Sequence, residues 1–238
     1  DTKVVAFVHA ETSTGVRSDA KEIAEIAKKY GCLIIADTVT SFTGIPVLTD
    51  EWGLDAVYSG SQKCLSCVPG LSPLTFSDKA IEKIQSRGTK IQSWFLDQTL
   101  VLDYWSGTGK RSYHHTAPIN SIFALHEALR LACDETLENL WKRHLDAHFR
   151  LKQGLDSMSV DFVVEKKYRL PQMNSIHIPE GCDDLEIRSK LLNDYNLEIG
   201  AGLGKFSGKI WRIGLMGYNA RNESVDYCLN SLKEVLNK

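Results

Sequence analysis

Polar and charged side chains follow the ends of three short apolar runs in the first part of the chain. They occupy residues 9–15, 36–39 and 58–63, and they include Asp37 and Lys63. The apolar composition and the shortness of each run predict a buried strand. Because open α/β sheets bind ligands beyond the carboxyl ends of their strands, we expect the three polar segments to form one site.

Asp37 and Lys63 each allow a structural and a chemical interpretation. Asp37 follows the apolar residues 33–36, so it is either a turn or cap residue or a partly buried carboxylate that bonds a protonated heterocyclic nitrogen. Lys63 is either a solvated side chain or an amine in a confined site that reacts with an electrophile. Neighbouring strand ends would place the two groups at opposite edges of a flat cofactor, the layout that pyridoxal phosphate requires.

Strands and helices alternate through the first part of the chain, which predicts an α/β domain with a mainly parallel sheet. Asp19 is the predicted N-cap of the first helix, and Gly31 is expected to end it. The predicted strands are residues 4–8, 32–36, 55–58 and 74–76, and the predicted helices are residues 19–30, 78–87 and 120–133.

A long predicted helix over residues 136–157 precedes a region of different character. This region predicts a small α+β domain, so we divide the chain into domains at 1–136 and 137–238. The chain begins at Asp1 without methionine and enters a strand at once, which indicates a large domain that is incomplete at its N-terminus. The predicted strands of the second domain are residues 162–164, 174–178, 198–199 and 210–213, and its helices are 183–195 and 222–236.

Charge and cysteine spacing exclude several classes of protein. The 238 residues carry a formal net charge of -2 and contain no long acidic or basic block, so we expect no nucleic-acid or membrane partner. No apolar run is long enough for a membrane helix. Of the six cysteines only Cys64 and Cys67 are close together, which indicates reduced thiols rather than a zinc site or a redox pair.

His144 and His148 lie four residues apart on a predicted helix, as zinc ligands can. No third ligand is evident in the sequence, so we interpret both as structural and predict no metal site. Residues 200–204 (Gly-Ala-Gly-Leu-Gly) open no clear helix, so they are not a phosphate-binding fingerprint. Their small side chains are better explained by backbone that lies close to a compact substrate.

Five short segments together resemble the class V aminotransferases. The chain looks most like the animal alanine:glyoxylate (serine:pyruvate) branch of that family, over nearly all of its length. The resemblance implies pyridoxal 5'-phosphate as the cofactor and the type I fold of transferases that use it. The segments, which occur in the family's order and spacing, are residues 11–15 (ETSTG), 37–39 (DTV), 59–63 (SGSQK), 113–116 (YHHT) and 212–214 (RIG).

The resemblance implies a role for several residues around the cofactor. Lys63 would bond the cofactor as a Schiff base and then serve as the general acid and base. Asp37 would keep the pyridine nitrogen protonated, so that the ring can accept electrons. Val39 would pack on one ring face. Thr12 would bond the cofactor on its ring-hydroxyl or phosphate side, and Gln62 would bond it near the phosphate.

Three further residues are implied to reach a second subunit or the substrate. Tyr113 and Thr116 would bind the phosphate held by the neighbouring subunit of a homodimer; without the resemblance they are ordinary loop residues. Arg212 would clamp the α-carboxylate of the substrate with a bidentate pair. Its alternation with apolar residues in a strand is equally typical of an arginine that faces solvent.

These expectations describe an aminotransferase that moves the amino group of alanine or serine to glyoxylate or pyruvate. Transamination of 3-hydroxykynurenine is an alternative that uses the same residues. Cysteine desulfurases usually carry histidine before the lysine, where this chain has Gln62, so they are less favoured. A non-catalytic fragment of the fold is the alternative from another class, because the family's phosphate-cradling loop lies N-terminal to the part that this chain resembles.

A separate N-terminal polypeptide is a further expected partner, besides the small amino-acid and 2-oxo-acid substrates. Animal members of the family are commonly peroxisomal, but the chain ends in Leu236, Asn237 and Lys238, which do not form an S-K-L signal. The sequence therefore leaves peroxisome and cytoplasm open as the compartment.

Overall fold

The computed structural model describes residues 1–105 and 112–236. None of its helices is long and apolar enough to cross a membrane. The strands within the described residues are β1 (Val4–Val8), β2 (Ala10–Glu11), β3 (Val16–Arg17), β4 (Leu33–Asp37), β5 (Ala56–Tyr58), β6 (Leu74–Phe76), β7 (Met173–His177), β8 (Gly200–Ala201) and β9 (Ile210–Gly214). The α-helices are α1 (Ala20–Lys29), α2 (Thr49–Trp52), α3 (Asp78–Gln85), α4 (Gln98–Trp105), α5 (Ile119–Glu135), α6 (Leu137–Ser157), α7 (Asp184–Tyr195) and α8 (Asn222–Val235).

The first sheet has the strand order β1-β4-β5-β6. Strands β1, β4 and β5 run parallel and β6 is antiparallel to β5, so the prediction of a mainly parallel sheet is confirmed. The register places Asp37 at the carboxyl end of β4, opposite Val8 of β1 and Tyr58 of β5. The chain segments that follow these three strands therefore begin at one edge of the sheet.

Helix α1 packs against this sheet through its small apolar residues. Asp19 accepts a hydrogen bond from the backbone N–H of Glu22 at 3.0 Å, which confirms the predicted N-cap. Ala24 and Ala27 are buried in a cluster with apolar residues of β4 and β5. Gly31, with φ of 68°, follows the C-cap residue and ends the helix as predicted.

Asp55 joins β4, β5 and α3 through one buried carboxylate. Its Oδ2 accepts a hydrogen bond from the backbone N–H of Ile34 at 2.9 Å, and its Oδ1 accepts one from the Ser77 hydroxyl at 2.7 Å. Ser77 is also the N-cap of α3, where its Oγ accepts the N–H of Ala80 at 3.2 Å. The carboxylate therefore ties the start of β5 to β4 and to the start of α3.

The second sheet is antiparallel, with the strand order β7-β9-β8. Helices α6, α7 and α8 share an apolar core with it, so the predicted α+β character of this region is confirmed. Trp211 of β9 is fully buried, and its indole N–H donates to Asp184 Oδ1 at 2.9 Å. Thr136 lies between α5 and α6, and the domain boundary near it stays a prediction.

Some predicted elements differ from the structure. Residues 162–164 form only an isolated bridge between Phe162 and Ile176, because the 3-10 turn Lys166–Tyr168 follows at once. The strand predicted at residues 198–199 is instead β8, at Gly200–Ala201. Its position is set by pairing with β9 rather than by strand propensity. Strands β2 and β3 and helix α2 are too short to carry a periodic pattern, and α4 buries none of its side chains. These four elements were not predicted.

Candidate active site

Asp37 is held at the carboxyl end of β4 by two hydrogen bonds. Its Oδ1 accepts the backbone N–H of Val39 at 2.9 Å, and its Oδ2 accepts the hydroxyl of Tyr58 at 2.9 Å. The side chain of Asp37 is half-buried. A carboxylate oxygen has a second lone pair, so Asp37 keeps acceptor capacity for a protonated ring nitrogen.

Tyr58 was not identified as a site residue from the sequence. It lies opposite Asp37 in the register of β4 and β5. The hydrogen bond to Asp37, followed by burial and the carboxylate charge, raises the pKa of the Tyr58 hydroxyl above its usual value of 10.0. The phenol is therefore protonated at neutral pH and can act as a donor. The sequence does not show which strands are neighbours in the sheet. Only the pairing of β4 with β5 places Asp37 and Tyr58, their last residues, opposite each other.

Lys63 lies in a compact turn after β5, residues 61–67, which we call the lysine turn. The backbone N–H of Cys67 donates to Ser61 O at 3.0 Å, and that of Ser66 donates to Lys63 O at 2.9 Å. The side chain of Lys63 is half-buried, and its Nζ has no hydrogen bond or ion pair within residues 1–105 and 112–236. An amine without a fixed partner is accessible to an electrophilic ligand.

Val39 and Gln62 meet across Gly60. A Cβ atom on Gly60 would lie 2.7 Å from Gln62 Oε1 and 3.3 Å from Val39 Cγ1, so both side chains lie close to Gly60. The connection after β4 therefore touches the connection after β5. Four of the residues assigned to the cofactor by the sequence lie on these two adjoining connections: Asp37, Val39, Gln62 and Lys63.

Arg212 connects the second sheet to the segment after β1. Its Nη1 donates to Thr12 O at 3.0 Å, and its Nε donates to Ala201 O at 2.8 Å. Arg212 therefore does not simply face solvent, which was the alternative interpretation of its strand pattern. The two bonds leave other guanidinium N–H groups available to a carboxylate.

Gly15 allows residues 11–15 to lie directly against β7. Its φ is 78°, and a Cβ atom there would lie 2.7 Å from Met173 O. Its carbonyl accepts the backbone N–H of Leu170 at 3.0 Å. This close approach explains why Thr12, which follows the first sheet, reaches Arg212 of the second.

Tyr113 and Thr116 lie apart from this cluster in the contacts that the described residues make. Tyr113 is 71% exposed, and its hydroxyl forms a hydrogen bond of 2.5 Å with the hydroxyl of Thr116. The ring of Tyr113 also lies edge-on to Tyr104, with centroids 6.2 Å apart. None of these contacts reaches Lys63 or Asp37, so within this chain the pair is not part of the same site.

His144 and His148 make structural hydrogen bonds. Nδ1 of His144 lies 2.7 Å from Leu140 O, and its Nε2 accepts the backbone N–H of Gly217 at 2.9 Å. Nδ1 of His148 lies 2.6 Å from Asn174 Oδ1. Burial lowers the pKa of both, that of His144 to about 4. In the part of the chain that the structure describes, no group of three or more His, Cys, Asp or Glu is placed to hold a metal.

Cys64 follows Lys63 directly but is poorly suited to chemistry. All six cysteines are free thiols. Cys64 is buried, and its Sγ–H donates to Thr40 O at 3.3 Å. Burial raises the pKa of this thiol to about 12, so it holds its proton at neutral pH and is a weak nucleophile.

The side chains at this sheet edge fit pyridoxal 5'-phosphate. That cofactor needs an amine for its aldehyde carbon, a carboxylate for its pyridine nitrogen and apolar contact for its ring. Lys63, Asp37 and Val39 carry these groups on two connections that touch at Gly60. Arg212 bonds Thr12 O, so its cation lies where the second sheet contacts the segment after β1 and can bind an anionic substrate there.

Comparison with known proteins identifies the family. Residues 1–227 match the family described as Aminotransferase class-V. Alanine–glyoxylate aminotransferase of Rattus norvegicus is 40% identical over 97% of this chain, and (S)-ureidoglycine–glyoxylate transaminase of Bacillus subtilis is 34% identical over 98%. A crystal structure of alanine–glyoxylate aminotransferase from Nostoc sp. superposes with a TM-score of 0.94 at 48% identity and covers 98% of this chain.

These similarities cover much of this chain but only part of its relatives. The chain spans 56% of the rat protein, 60% of the Bacillus subtilis protein and 61% of the Nostoc structure. The structural likeness confirms the predicted type I fold. Because the family model matches nearly every residue of the sequence, this chain belongs to the class V aminotransferases.

Proposed function

We propose that this chain carries the reactive part of a pyridoxal-phosphate-dependent aminotransferase, which moves the amino group of alanine or serine to glyoxylate or pyruvate. The observation that carries the proposal is the contact between the Asp37–Val39 connection and the connection that bears Lys63, at one edge of the parallel sheet. Two relatives whose names give glyoxylate as a substrate support glyoxylate as the acceptor.

In this proposal Asp37 and Lys63 both bind the cofactor, and Lys63 also transfers the proton. Bound pyridoxal phosphate supplies an electron sink for the negative charge that develops on the substrate's α-carbon. Asp37 would hold the protonated pyridine nitrogen through a charge-assisted hydrogen bond, while Val39 and Tyr58 hold the Asp37 carboxylate in place. Lys63 would hold the cofactor through its Nζ, and the same amine would carry the proton to and from the substrate's α-carbon.

Arg212 binds the α-carboxylate of the substrate in this proposal. Its Nε and Nη1 are held by Ala201 O and Thr12 O, so the guanidinium has a fixed orientation. A Cβ atom on Gly200 would lie 3.4 Å from Arg212 Nη2. Backbone therefore lies close to the guanidinium, which favours compact substrates such as alanine, serine, glyoxylate and pyruvate.

The amino donor is less constrained than the acceptor. The names of the rat and Bacillus subtilis relatives share glyoxylate but give different donors, alanine and (S)-ureidoglycine. Neither name supports the alternative donor 3-hydroxykynurenine. We therefore keep alanine and serine as the proposed donors.

A second copy of the chain is the proposed partner. Tyr113 and Thr116 are exposed and their hydroxyls bond each other, so the pair can bind a phosphate held by a neighbouring subunit. A separate N-terminal polypeptide is the alternative source of further phosphate contacts. We keep peroxisome or cytoplasm as the proposed compartment.

Loading the full chain with pyridoxal phosphate tests the function. We expect the wild type to gain visible absorbance and to transfer the amino group of alanine to glyoxylate. Lys63→Ala should lose both the protein-bound colour and the transfer, with an activity loss of at least about a hundredfold. Lys29→Ala, an exposed lysine at the end of α1, is the matched control and should retain both.

Two outcomes contradict the proposal. Normal turnover by Lys63→Ala would show that another residue bonds the cofactor. A wild type that gains no colour would favour the non-catalytic alternative. Sedimentation of the wild type at several concentrations separately tests the proposed homodimer, for which we expect twice the mass of one chain.

A further inference from the structure

Ser66, three residues after Lys63, has an unusual backbone conformation. Its φ is 56°, in the left-handed region that residues other than glycine rarely adopt. Such a conformation persists only where surrounding contacts maintain it, and these positions cluster at functional sites. Because Ser66 and Lys63 belong to the same hydrogen-bonded turn, the contacts that hold Ser66 also affect the position of Lys63.

The connection between β9 and α8, residues 216–220, makes the contact with Ser66; we call it the glycine turn. The backbone N–H of Tyr218 donates to Ser66 Oγ at 2.8 Å. Gly217 has φ of 52°, and a Cβ atom there would lie 1.8 Å from Ser66 Oγ and 2.6 Å from Cys64 O. The glycine turn therefore lies directly on the lysine turn, and a side chain at position 217 would force the two apart.

Helix α6 holds the glycine turn in place. Arg143 Nη1 donates to Gly217 O at 2.6 Å and to Ala220 O at 3.1 Å, and Arg143 Nε donates to Glu135 Oε1 at 2.6 Å. His144 Nε2 accepts the backbone N–H of Gly217 at 2.9 Å. Consecutive residues of one helix thus bind the N–H and the carbonyl of Gly217, so the turn is a fixed support rather than a loose connection.

The glycine turn also continues from the strand that carries Arg212. Only residues 213–216 separate Arg212 from Gly217, and β9 is hydrogen-bonded on both sides, to β7 and β8. The same rigid strand therefore leads from the proposed substrate-carboxylate site to the support beneath the lysine turn.

We propose that Ser66 is a positioning residue, through which the glycine turn sets the place of Lys63 relative to Asp37. The hydrogen bond from Tyr218 holds the strained backbone of the lysine turn, so its loss should displace Lys63. This inference rests on the proposed function in one respect: it takes Lys63 as the residue that bonds the cofactor.

Two substitutions of Ser66 test the proposal in the full chain. Ser66→Ala removes the hydroxyl and keeps the strained backbone, whereas Ser66→Gly removes the hydroxyl and relieves the strain. An effect that both variants share comes from the lost hydrogen bond. Ser86→Ala is the matched control, because Ser86 is exposed and its hydroxyl bonds only Lys83 O of its own helix, at 3.3 Å.

The first measurement is amide hydrogen exchange of residues 61–67 in the cofactor-free protein. We expect exchange to be about fivefold faster in both Ser66 variants, the ratio that the loss of one hydrogen bond gives. The second is the pH titration of the visible absorbance after loading with pyridoxal phosphate. If Lys63 is displaced, the midpoint of this absorbance titration should move by about half a pH unit. A purely structural role of Ser66 would leave the midpoint unchanged.

Faster exchange with a displaced midpoint in both variants supports the proposal. Exchange and midpoint equal to those of the wild type and Ser86→Ala overturn it. Faster exchange with an unchanged midpoint also overturns it, because Ser66 is then a structural contact without effect on Lys63. Should the wild type take up no cofactor, the proposed function fails, and the exchange comparison alone then decides whether the glycine turn anchors the lysine turn.

Discussion

The four-stranded, mainly parallel sheet and the three-stranded antiparallel sheet differ in how completely their strands are buried. Four of the five residues of β7 and three of the five of β9 are buried, whereas β1 buries none, and its Val4 and Val8 are 45% and 39% exposed. Asp37 and Lys63 follow strands of the parallel sheet, and Arg212 lies on a strand of the antiparallel sheet. We infer a division of roles, in which the antiparallel region stabilises the fold through its large buried core and the parallel edge carries the groups of the proposed site.

The largest expected effect is on stability. Leu155 of α6 is fully buried in the core of the antiparallel region, whereas Leu74 of β6 is 45% exposed. Leu155→Ala should lower the free energy of unfolding by about 2–5 kcal/mol, and the same substitution at Leu74 by less than about 1 kcal/mol. Urea unfolding of both variants checks this. Equal losses would contradict the division of roles.

Asp37→Asn should affect activity rather than stability. The amide carries no charge for a protonated ring nitrogen. Its single oxygen can still accept the N–H of Val39, while its NH2 group takes the place of Oδ2 and can donate to the Tyr58 hydroxyl. We expect kcat/KM to fall roughly a hundredfold, which corresponds to about 3 kcal/mol. The control is Asp161→Asn, at an exposed position. A matching fall in melting temperature would instead make Asp37 a structural residue.

His144 should make the antiparallel region sensitive to acid. Its pKa in the folded state is about 4, against 6.5 for an ordinary histidine, so the unfolded state binds more protons between these values. Stability is therefore fully present above about pH 6.5 and is lost as the pH falls towards about 4. This group alone should contribute a loss of about 2 kcal/mol between about pH 7 and about pH 5.

His144→Gln separates this contribution from other titrating groups. Glutamine does not titrate, and its Oε1 can accept the N–H of Gly217 as His144 Nε2 does. Urea unfolding at both pH values should show a smaller loss for the variant than for the wild type. An identical loss would mean that His144 is not the group responsible.

Tyr58→Phe should have the smallest effect, at the parallel edge. It removes one of the two donors to Asp37 and leaves the ring in place. The affinity for pyridoxal phosphate should weaken about fivefold, as expected for one hydrogen bond, and a spectrophotometric titration measures it. Tyr30→Phe, at a position 79% exposed, is the control. A loss as large as that of Asp37→Asn would show that Tyr58 does more than orient the carboxylate.

Local signals in the sequence were sufficient for the elements with clear ends. The bounds of β1 match the prediction because it is a continuous apolar run, and those of β6 match because Pro73 and Ser77 enclose it. The position of β8 was missed, since glycine and alanine have little strand propensity and the pairing with β9 decides the outcome.

The site was predictable in its outline but not in its supporting contacts. The rule about strand ends brought Asp37 and Lys63 to one sheet edge, as the structure does. The bond from Tyr58 to Asp37 depends on lateral strand register. The contact of Ser66 with Tyr218 joins residues 152 positions apart, a distance that no local pattern covers.

Asp55 shows how a residue far from any ligand can determine chemistry. Its backbone N–H donates to Ile34 O at 2.9 Å, while its carboxylate accepts the N–H of the same residue at 2.9 Å. A slip of one residue between β4 and β5 would turn every side chain of one strand to the opposite face. By opposing that slip, Asp55 decides which side chains become neighbours at the other end of the strands. A mutation there can abolish the encounter of Tyr58 with Asp37 without touching either of them.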